Sequence, residues 1–223
     1  MSGQLVKLET APDLVDQVYR ALLDAISEGS LAPGQRLTQE EVAEQLSVSR
    51  QPVLQALRLL KKDGFVLDAP GRGVQVAPLD VAWMLKVYQV RGALDALAAR
   101  LAAQQRTRIE PRLIEQGRKA ARGRNVKAMI DADIAFHDAI YAASGNPLIA
   151  QTAHQHWRHL RRVMGAVLQQ SQQRDSVWDE HQAIADAIAA GDEARAVQMI
   201  EQHSKHAGIN LARELGEVLA SRP

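Results

Sequence analysis

Apolar residues recur at helical spacing from Asp13 onward: Leu14, Val15, Val18, Leu22 and Ile26 form one stripe that runs to Gly29, and Ala32-Pro33-Gly34 then breaks the pattern. Thr38 and Glu41 stand at the spacing of a capping box, and Val42, Ala43 and Leu46 supply the buried side of a short second helix ending near Leu46. Ser49 is placed to cap a third helix, which tolerates Pro52 in its first turn and turns Val53, Ala56, Leu57 and Leu60 inward until Gly64 stops it. The period then changes. Phe65-Val66-Leu67 and Val74-Gln75-Val76 read as two short strands joined through Asp68-Ala69-Pro70-Gly71-Arg72-Gly73. Helices followed by a small β hairpin predict an N-terminal winged helix-turn-helix over residues 1–77.

Pro78, with Leu79 and Asp80 after it, marks a linker. Beyond it the pattern never alternates as a strand does, and helical segments are expected over roughly 80–104, 111–122, 125–144, 147–170, 175–190 and 192–215. The breaks have chemical causes. Pro111 suits a first helical turn, Gly123 followed by Asn125 makes a stop and a new cap, Asn146-Pro147 interrupts, and Gly191-Asp192 ends one helix and caps the next. The expected fold is mainly α, with a C-terminal antiparallel bundle of six helices over residues 78–223.

Composition fits this picture. At 223 residues the chain is long enough for two separate cores, and its 46% hydrophobic, 24% charged and only 4% aromatic content favours helices that pack through aliphatic side chains. There is no cysteine, which removes disulfides and thiolate ligands and agrees with a reducing compartment. Met1–Thr10 lacks the apolar core of a signal peptide, and no uncharged apolar run approaches the roughly 18 residues of a membrane span. A cytoplasmic protein without a membrane partner is therefore expected. The net charge of +1 gives no global case for nucleic acid, so that case rests on where the cations stand.

On the third helix, about 100° per residue puts Arg50, Leu54, Arg58 and Lys61 on one side, flanked by Gln51, Gln55 and Lys62 and opposite the apolar stripe. Guanidinium and amide groups so placed pair with base edges in the major groove, while the remaining cations neutralise phosphates. Arg72, between two glycines at the hairpin tip, suits a wing on the DNA backbone or in the minor groove. Leu31-Ala32-Pro33-Gly34-Gln35-Arg36-Leu37, Leu46-Ser47-Val48-Ser49-Arg50-Gln51-Pro52-Val53, Ala56-Leu57 and Gly71-Arg72-Gly73-Val74 together resemble the winged helix of the GntR family of transcription regulators. That resemblance implies operator DNA as a partner, with Arg36, Ser49, Arg50, Gln51, Leu54, Gln55, Arg58 and Arg72 at the interface. Two positions depart from it: Leu54 stands where the family usually has arginine, and Gln55 where it often has glutamate. Leu54 cannot bond guanine and is expected to touch a thymine methyl.

A second constellation lies in the helical half. Asp133 and His137 fall in the apolar stripe Val126, Ile130, Ile140 of one helix, His181 in the stripe Val177, Ile184, Ile188, and His203 in the stripe Ala196, Ile200, Ala207. A lone inward histidine is ordinarily a hydrogen-bonded core residue. Four metal-capable side chains converging from separate helices are costly to bury unless a divalent cation satisfies them together. The same residues resemble the metal-binding form of the FadR-like, or FCD, effector domain, whose Asp-x-x-x-His meets one histidine from each of the last two helices, and Asn146 after Ser144-Gly145 also stands in its usual place. The resemblance implies a site open to water or to a small carboxylate effector, holding zinc first, with nickel or manganese also suited.

Arg91 and Arg162 are candidate partners for that carboxylate, though the first expectation for Arg91 is simply a pairing with Asp95 one turn on. His156, in line with Leu160 and Val163, is a candidate for the pocket wall, and His206 reads as surface or as a neighbour of His203. The reading that follows is a repressor acting as a homodimer, with two recognition helices entering grooves about one DNA turn apart. A metalloenzyme is the rival. It has no need of the first 77 residues, and no glutamate, tyrosine or serine stands at an evident spacing to act as a general base.

Overall fold

A computed structural model describes residues 14–168 and 175–221. Met1–Thr10, Asp13 at the head of the first stripe, and residues 169 and 170 of the helix expected over 147–170 lie outside the described residues. Contacts divide the chain into two compact units, one holding Ser30–Pro78 with the helix before it, the other running on from Leu79.

The first unit comprises α1 (Leu14–Ser27), β1 (Arg36–Leu37), α2 (Gln39–Gln45), α3 (Arg50–Lys62), β2 (Val66–Asp68) and β3 (Val74–Val76). Its core gathers Val18, Leu22 and Ile26 of α1, Val42 of α2, Val53, Ala56, Leu57 and Leu60 of α3, and Phe65, Val66 and Val76 of the sheet. The capping box forms as expected: Thr38 Oγ1 accepts from Glu41 N, and Glu41 Oε2 accepts from Thr38 N. Ser49 occupies the N-cap of α3, but its hydroxyl makes no cap hydrogen bond.

The hairpin differs from the expectation by one strand. β1 joins it to give an antiparallel sheet in the order β1-β3-β2, with Arg36 opposite Gln75 and Leu37 opposite Val74. Two residues are too few to show a strand period, so this strand left no mark on the pattern; what draws it in is the burial of Leu37. Gly73 makes the approach possible. Its φ is +97°, and a Cβ there would stand 2.6 Å from the Leu37 carbonyl oxygen.

The second unit is helical: α4 (Val81–Gln104), α5 (Pro111–Arg122), α6 (Val126–Ala143), α7 (Pro147–Val167), α8 (Asp175–Ala190) and α9 (Glu193–Ala220). Each cap is local chemistry. Asp80, Asn125, Asn146 and Asp192 accept backbone N–H groups at the starts of α4, α6, α7 and α9. α4 packs against α6, α7, α8 and α9, and Ala98, Ala99, Ala102 and Ala103, all buried, let its neighbours close in. No described helix is long and apolar enough to cross a membrane.

Gly117 of α5 lies under the indole of Trp178 on α8, where an added Cβ would fall 2.0 Å from ring carbons. Alanine gains about 1 kcal/mol in helix propensity over glycine. Overpacking against a rigid ring costs about 1–3 kcal/mol and more for so deep an overlap. Gly117→Ala should therefore lower the unfolding free energy, by about 2 kcal/mol or more net, in urea titrations followed by circular dichroism; a stabilised variant would contradict this packing.

Candidate functional site

α6 presents Asp133 and His137 one turn apart, α8 presents His181 in line with Ile184 and Ile188, and α9 presents His203 after Ile200. Their four donor atoms lie within 4.8 Å of one another. His137 and His181 are 0% exposed and His203 4%, while Asp133 is half-buried. His181 Nε2 stands 3.2 Å from His203 Nε2 and 3.5 Å from Asp133 Oδ1. Two imidazole nitrogens on one zinc ion, each at 2.0–2.1 Å, stand about 3.4 Å apart in a tetrahedral shell. A separation of 3.2 Å fits two ligands of one ion and equally fits a hydrogen bond between the two rings.

The rings are held by aromatic walls. Phe136 stacks on His181 at 4.2 Å between centroids, and Trp178 meets the same ring edge-on at 4.6 Å. Burial, reinforced by His203 and His137, pushes His181 well below the ordinary histidine range, and burial likewise lowers His137. Both are neutral imidazoles at neutral pH, the form that binds metals. Nδ1 of His137 and Nδ1 of His181 are buried without a hydrogen-bond partner among the described residues. It is Nε2 of His181, not its Nδ1, that faces His203 and Asp133; one carboxylate with three imidazoles is a donor set suited to zinc, nickel or manganese.

Residues outside that set complete the surroundings. His203 Nδ1–H donates to Glu180 Oε2 at 2.8 Å; a carboxylate can only accept, so Nδ1 carries a proton, and Nε2 is the nitrogen that faces His181. That hydrogen bond lowers the Glu180 carboxyl below its ordinary range. Deeper in, Arg91 Nε donates to Asp95 Oδ2 at 2.9 Å, Tyr141 to Oδ1 at 2.5 Å and Ser204 to Oδ2 at 3.1 Å, while Trp157 Nε1 donates to the Tyr141 oxygen. The Arg91 guanidinium sits 4.2 Å from the Trp157 ring centroid, with Nη2 3.3 Å from His137 Nε2. Burial alone would raise Asp95; Arg91, His137 and Tyr141 together hold it below the carboxylate range. Arg91 therefore makes the pairing with Asp95 that its spacing allows, and it also borders a cavity.

A cavity of about 240 Å³ opens beside the cluster, bordered by Tyr88, Arg91, Asp133, Trp178, Glu180 and His203 among others. His206, on the α9 surface, also reaches it, with Nδ1 3.8 Å from Glu180. His156 and Arg162 are not among its lining residues. On α7 the inward position goes to Trp157, which leaves His156 half-buried beside it, and Arg162 is buried away from the cavity, where desolvation lowers it to about 10. Glu180, Tyr141 and Ser204 had no mark in the sequence as partners. Glu180 sits on a half-exposed helix face, and tyrosine and serine in a stripe read as filler until the buried acid they serve is in view.

In the first unit, α3 turns Arg50, Gln51 and Arg58 to solvent, with Leu54 and Gln55 half-buried on the same side. No acid of α3 interrupts this face, but neighbouring elements reach it: Arg50 pairs with Glu40 at 3.0 Å and Lys61 with Asp68 at 2.6 Å. Arg36 Nε and Nη2 both donate to the Arg72 carbonyl, which ties the wing tip to β1 and leaves the Arg72 side chain exposed.

Comparison with known proteins places both units. The family profile for bacterial regulatory proteins of the gntR family matches residues 14–76, and the FCD domain profile matches residues 86–206. The chain belongs to the GntR family, with an FCD domain. The transcriptional regulator LutR of Bacillus subtilis is 32% identical over 212 residues, covering 80% of this chain and 92% of LutR. A probable D-xylose utilization operon transcriptional repressor of Paenarthrobacter nicotinovorans is 25% identical, covering 87% of each chain. Among solved structures, E. coli McbR/YncC superposes with a TM-score of 0.75 at 21% identity, covering 92% of this chain and 99% of that one, a likeness of fold. This GntR-family chain is a transcription regulator with a DNA-binding helix-turn-helix, and its family and relatives are regulators rather than enzymes.

Proposed function

We propose that this GntR-family chain is a cytoplasmic, homodimeric repressor whose domain 1–77 holds operator DNA and whose domain 78–223 binds a divalent ion, zinc first, together with a small carboxylate effector. The observation that carries the reading is the convergence of Asp133, His137, His181 and His203 beside an open cavity. In it the four side chains hold the ion, and the ion supplies a Lewis-acidic contact for an effector carboxylate. Asp133 and His203 border the cavity, so an effector there reaches the donor set; Arg91 borders it as well, its charge matched by Asp95, and offers the effector N–H donors. The relative from Paenarthrobacter, described as a probable repressor, supports that sign of regulation.

On the DNA side, Arg50, Gln51, Gln55 and Arg58 read bases or phosphates, and Ser49, Arg36 and Arg72 contact the backbone. Leu54 reads a thymine methyl. The test is selection of duplexes from random DNA by the full-length protein, followed by binding titrations with and without zinc and a panel of small carboxylates. A two-half-site duplex should be enriched, and one acid should weaken binding only in the zinc-loaded protein; no enriched duplex, or effector response without any ion, would overturn the reading. In the same selection Leu54→Ala should relax preference at one base pair per half-site, by about 1 kcal/mol, without weakening binding to all sequences equally.

A further inference from the structure

Both nitrogens of His203 are taken by consecutive residues of α8: Nε2 faces His181 at 3.2 Å, and Nδ1 donates to Glu180 at 2.8 Å. The other two imidazoles lack this arrangement. The Nδ1 of His137 stands 3.6 Å from Asp95, beyond hydrogen-bonding distance, and that of His181 has no partner among the described residues. An imidazole fixed at its outer nitrogen by a carboxylate has one tautomer, one ring orientation and a more basic inner nitrogen. His203, 4% exposed, is so fixed, whereas Glu180 is 41% exposed at its side chain and lies on the cavity wall.

We propose that Glu180 is a positioning residue of the metal centre, holding the His203 ring so that its Nε2 lone pair points at Asp133 and His181. The proposal rests on the reading of those four residues as ion ligands. Glu180 need not touch the ion; its part is to settle, before the ion arrives, which His203 nitrogen is free. The competing account is a surface ion pair in which Glu180 merely shares its charge between His203 and His206, whose Nδ1 is 3.8 Å away. In that account the His203 tautomer is indifferent to Glu180, and Glu180 can be removed without consequence for the ion.

The test uses the full-length protein and two readouts. Long-range proton–nitrogen NMR of the metal-free protein reports the His203 tautomer, and competition with a chromophoric chelator reports zinc affinity. The wild type should show His203 protonated at Nδ1. Glu180→Ala should mix the tautomers and weaken zinc binding about 10- to 100-fold. Glu180→Gln keeps an accepting carbonyl, so it should retain the tautomer and recover most of the affinity. Thermal melts of the metal-free variants separate a folding defect from a loss of position, and the wild-type tautomer stands as a test even if Glu180→Ala fails to fold. An Nε2-protonated His203 in the wild type, or equal zinc affinity in all three proteins, overturns the role of Glu180 while leaving the metal centre standing. A wild type that takes up neither zinc, nickel nor manganese overturns the metal reading itself, and this proposal with it.

Discussion

Replacing Asp95 with alanine should cost the helical unit about 3–5 kcal/mol, the range for breaking a buried ion pair by removing one partner. Arg91 and Asp95 have side chains 2% and 0% exposed, so the deletion strands a largely desolvated guanidinium. It also takes the acceptor from Tyr141 and Ser204, and leaves Trp157 bonded to a hydroxyl that no longer has a fixed orientation. Against a total stability of about 5–15 kcal/mol, such a loss is a large share of what keeps the domain folded. Urea titration followed by circular dichroism reads the effect directly. Replacing both partners with leucine should recover a large part of the loss, because no charge is then left buried, whereas the single Asp95→Ala and Arg91→Leu changes should both be severe. A loss under about 1 kcal/mol for Asp95→Ala would mean that solvent reaches this pair.

The legible parts of the molecule are those where local chemistry decides the outcome. Pro111 and Arg122 bound α5 where the sequence predicts its ends, because a proline start and a glycine stop act within one turn. The Thr38 and Glu41 capping box formed for the same reason, as did the starts at Asn125, Asn146 and Asp192. Convergence of Asp133, His137, His181 and His203 was also readable, since a polar side chain in an apolar stripe must face whatever the stripe faces. What escaped depends on partners far along the chain. β1 exists only because β3 stands beside it. His156 yields the inward place on α7 to Trp157, since a stripe read at helical spacing is uncertain by one position and the larger ring fills the core. Glu180 reaches His203 from an adjacent helix at a sequence distance of 23 residues, which no periodicity encodes.

Zinc should raise the unfolding free energy of the wild type by about 4 kcal/mol when its free concentration is a thousand times its dissociation constant, and a chelator should reverse the gain. The pH dependence follows from the imidazoles. Burial depresses His137 and His181 in the folded protein, whereas in the unfolded chain they titrate at about 6.5. Below that value the unfolded chain binds protons that the folded one refuses, so their contribution is complete above about pH 6.5 and is lost as pH falls toward the folded-state values. Each imidazole gives a slope of up to about 1.4 kcal/mol per pH unit. Protons and ion compete for the same nitrogens, so the zinc increment should be largest at neutral pH and shrink toward pH 5. Thermal melts from pH 5 to 8, with zinc and with chelator, trace both limbs. His181→Leu sharpens the test: it removes a fully buried ring with an orphaned Nδ1 together with its 3.2 Å contact to His203, so the metal-free protein should change little in stability and its acid limb, left to His137, should become shallower. The zinc increment should fall to a small residue in the same variant. Stability conserved while ion binding is lost is the behaviour of a ligand, whereas an ordinary core histidine would lose stability in both conditions alike.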